Sequence, residues 1–133
     1  MTVPVIHRDT ATEVFFDSTA RGELLIRRCT ACGAHAAPQS GACPVCHTPA
    51  ATWAAAAGTG TVVAWTAVHG RPRDGAPASE AVSALIELTE GPWLYAPLRN
   101  LGPGERPWAG MSVVVAFERP EGGEAIPVFR PTV

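Results

Sequence analysis

The sequence Cys29-Thr30-Ala31-Cys32, followed after ten residues by Cys43-Pro44-Val45-Cys46, contains every cysteine of this 133-residue chain. A Cys-x-x-Cys turn places two sulfurs on the same side of a tight loop. Two such turns facing each other form a tetrahedral cage of four sulfurs, which suits zinc. We therefore predict a rubredoxin-like zinc ribbon in which Cys29, Cys32, Cys43 and Cys46 bind one metal ion.

The sequence leaves other uses of the four thiols open. Two disulfides would need an oxidising compartment, and four thiolates can hold iron as well as zinc. Iron would allow rubredoxin-like electron transfer. A closed four-thiolate site has no open coordination position, so we expect the metal to be structural rather than catalytic. His35 and His47 lie beside the motifs, and we predict that neither is a ligand.

Composition and charge narrow the class of protein. The chain is 47% hydrophobic and has a net charge of −2, with ten arginines and no lysine. A mildly acidic chain lacks the basic groove that nucleic-acid backbones require. Zinc ribbons and OB-folds nevertheless both occur in nucleic-acid-binding proteins, so nucleic-acid binding stays the alternative function. We see no signal peptide and no run of apolar residues long enough to span a membrane. These features predict a cytoplasmic protein.

A short helix is predicted before the ribbon. Thr10 and Glu13 have the spacing of a capping box, and Phe15 and Phe16 follow in the helix, which we expect to end near Gly22. Two adjacent phenylalanines on so short a helix indicate either packing against the ribbon or docking onto a partner.

The second half of the chain has the pattern of a small β-barrel. Five segments of strand-like composition are separated by turn residues, at 61–69, 80–89, 93–100, 111–118 and 125–129. Five strands without a helix favour a closed OB-fold, with an SH3-like barrel as the alternative. The predicted fold class is mainly β, with an N-terminal arm and helix (1–22), a zinc ribbon (23–57) and a barrel (58–133).

Several short motifs together resemble a known family. They are Gly22-Glu23-Leu24, the two cysteine pairs, Trp53, Gly58-x-Gly60-x-Val62, Gly110-Met111-x-Val113 and Pro127-Val128-Phe129. In this order and spacing they resemble the zinc-ribbon plus OB-fold family that is associated with acyl-CoA enzymes and was first catalogued as domain of unknown function thirty-five. The resemblance covers nearly the whole chain.

The resemblance implies an accessory function. Members of this family look like non-catalytic partners of thiolase-fold enzymes, thiolase-like aldolases or hotdog-fold hydratases that act on acyl-CoA, including in steroid or fatty-acid side-chain degradation. The OB-fold is thought to help bind the CoA ester or complete the partner's active site. We therefore expect a hetero-oligomer that binds zinc and acyl-CoA and performs no catalysis itself.

Two further sets of residues are candidates for binding. Arg71 and Arg73 flank Pro72 in the loop after the first barrel strand, where OB-folds bind ligands, and their forked donors suit CoA phosphates. Apolar side chains that alternation places on the outer face predict a partner surface. With the helix they form the set Phe15, Phe16, Leu85, Trp93, Tyr95 and Val114.

Overall fold

A computed structural model describes residues 5–71, 75, 80–102 and 104–132 of the chain. These residues contain one helix and eight strands. The elements are α1 (Glu13–Ala20), β1 (Leu25–Cys29), β2 (His35–Ala36), β3 (Ala51–Ala55), β4 (Thr59–His69), β5 (Glu80–Leu88), β6 (Trp93–Leu98), β7 (Ser112–Glu118) and β8 (Ile126–Pro131). The fold is therefore mainly β, with one short helix, as the sequence predicted.

The start of α1 differs from the predicted capping box. The N-cap is Thr12, and its side chain makes no cap hydrogen bond. Instead, the carboxylate of Asp9 accepts hydrogen bonds from the backbone amide and the hydroxyl of Thr12, both at 2.9 Å. The capping box was wrong because a local aspartate turn satisfies the backbone donor that precedes the helix.

The ribbon is a three-stranded antiparallel sheet in the order β2-β1-β3. The central strand β1 runs directly into the first cysteine motif, since its last residue is Cys29. Across this sheet Arg27 is paired with Ala36 on one side and Trp53 on the other. Because side chains alternate along a strand, Ile26 projects from the opposite face to Arg27.

The five barrel strands close in the order β4-β5-β6-β8-β7. The β6–β8 pair is parallel and joined at Leu98 and Phe129, whereas the other pairs are antiparallel. This strand order is that of an OB-fold, which removes the SH3-like alternative.

The motif Gly58-x-Gly60 lies at the seam where β4 meets β7. Gly58 has φ +83°, and a Cβ atom there would lie 2.6 Å from a methyl group of Val115. A Cβ atom on Gly60 would lie 2.5 Å from the carbonyl oxygen of Glu87. Glycine is therefore required at both positions for the barrel to close.

The ribbon and the barrel share one hydrophobic core. Leu24 and Ile26, at the start of the ribbon, are 2% and 0% exposed and pack with buried residues of the barrel. The barrel contributes Val62, Val82, Ala84, Ile86, Leu88, Ala96, Leu98, Met111, Val113 and Phe129. The two modules therefore stabilise each other rather than folding as separate units.

Replacing Ile26 with alanine tests this shared core. Deleting a fully buried isoleucine side chain typically costs about 3 kcal/mol of unfolding free energy. We expect one cooperative transition in denaturant, displaced to lower concentration, by both near-UV and far-UV circular dichroism. A variant in which the barrel unfolds at the wild-type midpoint would contradict the shared core.

The N-terminal arm is held against the last barrel hairpin by a bidentate ion pair. Arg8 Nε and Nη2 donate to the two carboxylate oxygens of Glu124 at 3.0 and 2.9 Å. Arg8 also contacts Asp17 on α1, and the carbonyl of Ile6 accepts a hydrogen bond from the amide of Glu124. The hydrogen bonds from Arg8 lower the pKa of Glu124, with its positive charge and that of Arg119 acting in the same direction.

We expect this ion pair to make stability pH-dependent. Because the pKa of folded Glu124 lies below the ordinary glutamate value of 4.5, the pair stabilises fully above that value and its contribution disappears as pH falls through the lowered pKa. Unfolding free energies of the wild type and Glu124→Gln should differ at neutral pH and converge in acid. A difference that is constant over this range would exclude the pair as its cause.

Candidate metal centre and neighbouring surfaces

The two cysteine motifs bring four free thiols together. All four sulfurs lie within 4.8 Å of one another. Cys29 and Cys46 have sulfurs 3.6 Å apart, and the sulfurs of Cys32 and Cys43 are 3.5 Å apart. Four sulfurs bound tetrahedrally to zinc at about 2.3 Å would be about 3.8 Å apart, so the cage has the size for one ion. These separations are far longer than the disulfide bond length of about 2.05 Å.

Both motifs have the same backbone conformation. In the first, the amide of Cys29 donates to the carbonyl of Ala34, and the amide of Gly33 donates to the carbonyl of Cys29. The second motif repeats this pattern: the amide of Cys43 donates to the carbonyl of Thr48, and the amide of His47 donates to the carbonyl of Cys43. The fifth residue of each turn has a positive φ, +80° at Gly33 and +64° at His47. His47 therefore has a backbone role that the cysteine spacing did not predict.

Hydrogen bonds from backbone amides lower the pKa of the first cysteine of each motif, which favours its thiolate form. Cys43 accepts hydrogen bonds from the amides of Cys46 and Val45, which lower the pKa of its thiol to about 6. The amide of Cys32 donates to Cys29 at 3.4 Å and likewise lowers the pKa of Cys29. Since the thiolate is the form that binds metal, these contacts favour ion binding.

Of the two predicted CoA-binding arginines, one lies within the described residues. Arg71 is exposed and follows β4 after one intervening residue. Arg73 lies outside the described residues. The position of Arg71 at the end of a barrel strand is the one expected from the sequence, and its role in binding stays a prediction.

The structure brings together only part of the predicted partner surface. Leu85 is paired with Tyr95 across β5 and β6, and Trp93 projects from the same face two residues earlier. Trp93 and Tyr95 are 51% and 73% exposed, and we call these three residues the aromatic face. Val114 is paired instead with Thr59 and Arg130 elsewhere on the barrel.

The two helix phenylalanines differ in position. Phe16 is 7% exposed, so the helix turns most of this ring into the protein, and its contact with a partner stays a prediction. Phe15 is half-buried against the shared core, and the two rings pack edge to face with centroids 5.4 Å apart.

Comparison with known proteins identifies the family. A profile described as ChsH2, rubredoxin-like zinc ribbon domain, matches residues 16–50, and one described as ChsH2, C-terminal OB-fold domain, matches residues 53–118. A chain in the solved structure titled "Ltp2-ChsH2(DUF35) aldolase" is 34% identical, with the alignment covering 98% of this chain and 100% of that chain and a TM-score of 0.77. This chain belongs to the ChsH2 (DUF35) family. The resemblance found in the sequence is thus confirmed.

A more distant solved structure supports the fold alone. It is a DUF35-family protein of unknown function from Sulfolobus solfataricus, 16% identical, with 80% of this chain and 77% of that chain aligned and a TM-score of 0.60. No curated protein matches the chain. No helix in the described residues has the length and apolar character needed to cross a lipid bilayer.

The structure of this ChsH2-family chain contains a groove that the sequence did not predict. It lies between the start of α1, the ribbon sheet and β6, with a cavity volume of about 540 Å³. Arg27 and Trp53 form its ribbon side, with the guanidinium carbon 4.2 Å from the centre of the indole ring. Only the register of β1 and β3 brings these two residues together, and 26 positions of sequence separate them.

Proposed function

We propose that the chain is a non-catalytic accessory subunit of an acyl-CoA-processing complex, whose reaction is performed by a thiolase-fold or hotdog-fold partner enzyme. One observation carries this proposal: the similarity extends over 98% of the chain to a protein whose structure is titled as an aldolase containing ChsH2. A complex of this kind would work in the cytoplasm, where its thiols stay reduced and available to a metal.

Zinc is the proposed ion in the cage. Cys29, Cys32, Cys43 and Cys46 would hold it, and four thiolates leave no position for a substrate. Its contribution is structural, because it ties the end of β1 to the loop that carries the second motif. Iron would be distinguished by its visible colour, since zinc absorbs no visible light.

The aromatic face is the proposed contact with the partner enzyme. A solvent-facing sheet is normally polar, whereas here two large aromatic rings are half or more exposed. Tyrosine and tryptophan are enriched at protein interfaces, where they dominate binding energy. The accessory chain would thus border the partner's active site while supplying no reacting group.

Co-expression with a partner enzyme tests this function. The probe is a thiolase-fold aldolase from the same organism, and the readouts are co-elution on size exclusion and cleavage of an acyl-CoA substrate. We expect a stable complex, turnover only when the aldolase is present, and no turnover by this chain alone. Turnover of a thioester by the isolated chain would overturn the accessory role, and salt-sensitive binding of single-stranded DNA would favour the nucleic-acid alternative.

Binding of the CoA phosphates by Arg71 and Arg73 is tested in the same complex. Replacing both by alanine should weaken acyl-CoA affinity by about tenfold or more, because charge-assisted hydrogen bonds contribute about 1.5–3 kcal/mol each. Arg119→Ala is a matched control, since Arg119 is an exposed arginine elsewhere on the barrel. Unchanged affinity in the double variant would exclude this contact.

A further inference from the structure

The groove between α1, the ribbon and β6 is mainly apolar and contains one charged side chain. Its walls include Phe15, Phe16, Pro38, Trp53 and Leu94, and Arg27 lines it together with the uncharged polar residues Thr12, Gln39 and Ser40. A cavity of about 540 Å³ accommodates one or two large side chains of another molecule. Such a groove suits a ligand that combines an apolar group with a negative charge.

Arg27 is held in place but not neutralised. Strand register places it beside Trp53, and its guanidinium lies over the indole face. Within the described part of the chain it forms no ion pair and no side-chain hydrogen bond, although the side chain is half-buried. A guanidinium that packs on an aromatic ring keeps its N–H donors available at its edge, where they match a carboxylate.

The groove and the aromatic face share one strand, β6. Leu94 lines the groove, and its chain neighbours Trp93 and Tyr95 project from the opposite side of β6. A protein that covers the aromatic face therefore binds the strand that also contributes Leu94 to the groove wall. This position favours a protein segment over a free small molecule as the occupant.

We propose that the groove binds a peptide segment of the partner protein in which an apolar side chain is followed by a carboxylate. The apolar side chain packs between Phe15 and Trp53, and the carboxylate accepts hydrogen bonds from Arg27. That the segment belongs to a partner enzyme rests on the proposed function. Its chemistry, an apolar side chain followed by a carboxylate, rests on the groove alone. An apolar anchor with a desolvated Arg–carboxylate pair is typical of the energetic centre of an interface.

The test selects peptides without assuming which protein supplies them. A random heptapeptide library displayed on phage is panned on the metal-loaded full-length chain, and enriched peptides are measured by isothermal titration calorimetry. We expect sequences with an aromatic or large aliphatic residue next to Asp or Glu. Their affinity should fall by about tenfold or more in Arg27→Glu and in Ala11→Trp, which fills the groove.

Matched variants separate the groove from the metal centre. Arg28→Glu makes the same charge change one residue nearer to Cys29, on the other face of β1, and Ala20→Trp adds an exposed indole outside the groove. Both should bind the peptides like the wild type, with the metal content of every variant measured alongside. Equal losses in Arg27→Glu and Arg28→Glu would overturn the proposal.

Two outcomes distinguish the groove from the accessory function. If peptides bind in a groove-dependent way but the chain forms no complex with the aldolase, the proposed function is disproved and the groove remains a peptide site. If the chain forms the aldolase complex but no selected peptide loses affinity in the groove variants, the inference is overturned and the accessory function stands. Groove-dependent binding of decanoate in place of peptides would also overturn it, since the occupant would then be a small amphiphile.

Discussion

Replacing Cys43 by serine is expected to abolish metal binding and to unfold the ribbon. Structural zinc contributes on the order of 10–16 kcal/mol in zinc-finger peptides, which is as large as the whole unfolding free energy of a typical domain, about 5–15 kcal/mol. Because Ile26 and Leu24 reach from the ribbon into the barrel core, the loss should destabilise the barrel as well. The measurements are metal stoichiometry by elemental analysis and the thermal unfolding midpoint.

His47→Asn is the matched control for the cysteine variant. Asparagine tolerates the positive φ of this position, +64°, and the substitution removes an imidazole next to Cys46 without touching a sulfur. We expect one ion per chain and a nearly unchanged midpoint. A Cys43→Ser protein that retains a stoichiometric ion, or loss of the ion in His47→Asn, would contradict the four-sulfur site.

The double substitution Trp93→Asp with Tyr95→Asp is expected to weaken the complex with the partner enzyme by about 10³-fold, since two interface hot spots of at least about 2 kcal/mol each are removed. Both side chains are exposed, so the fold should survive. The substitution also removes the hydrogen bond that Trp93 Nε1 donates to Glu87 at 3.0 Å, which joins two exposed groups and adds little stability. Affinity is measured by surface plasmon resonance and folding by circular dichroism.

Trp108→Asp provides the comparison for the aromatic face. Trp108 is 62% exposed in the loop before β7 and is not part of the aromatic face. Exchanging it for aspartate makes one of the two chemical changes, tryptophan to aspartate, at a different site. A folded double variant that still binds the enzyme like the wild type would exclude the aromatic face as the contact, as would an equal loss of affinity in Trp108→Asp.

Local patterns explain why most of the architecture was predictable. The cysteine spacing predicted a four-sulfur cage, and alternation with turn residues located the five barrel strands to within a few residues of β4–β8. The start of the helix was misplaced because a neighbouring side chain, Asp9, competes with the predicted cap. Errors of this kind arise where two local hydrogen-bonding solutions have similar free energies.

By itself, the sequence determined the four cysteines of the candidate metal centre, the strand pattern and the family, since each depends on residues that are close together in the chain or in a characteristic order. Only the tertiary structure decided that Phe16 is buried, that ribbon and barrel share a core at Ile26, and that Arg27 lies over Trp53 beside an apolar groove. These contacts join residues that are distant in sequence. Their formation depends on strand register and on the packing of one module against the other, which no local pattern records.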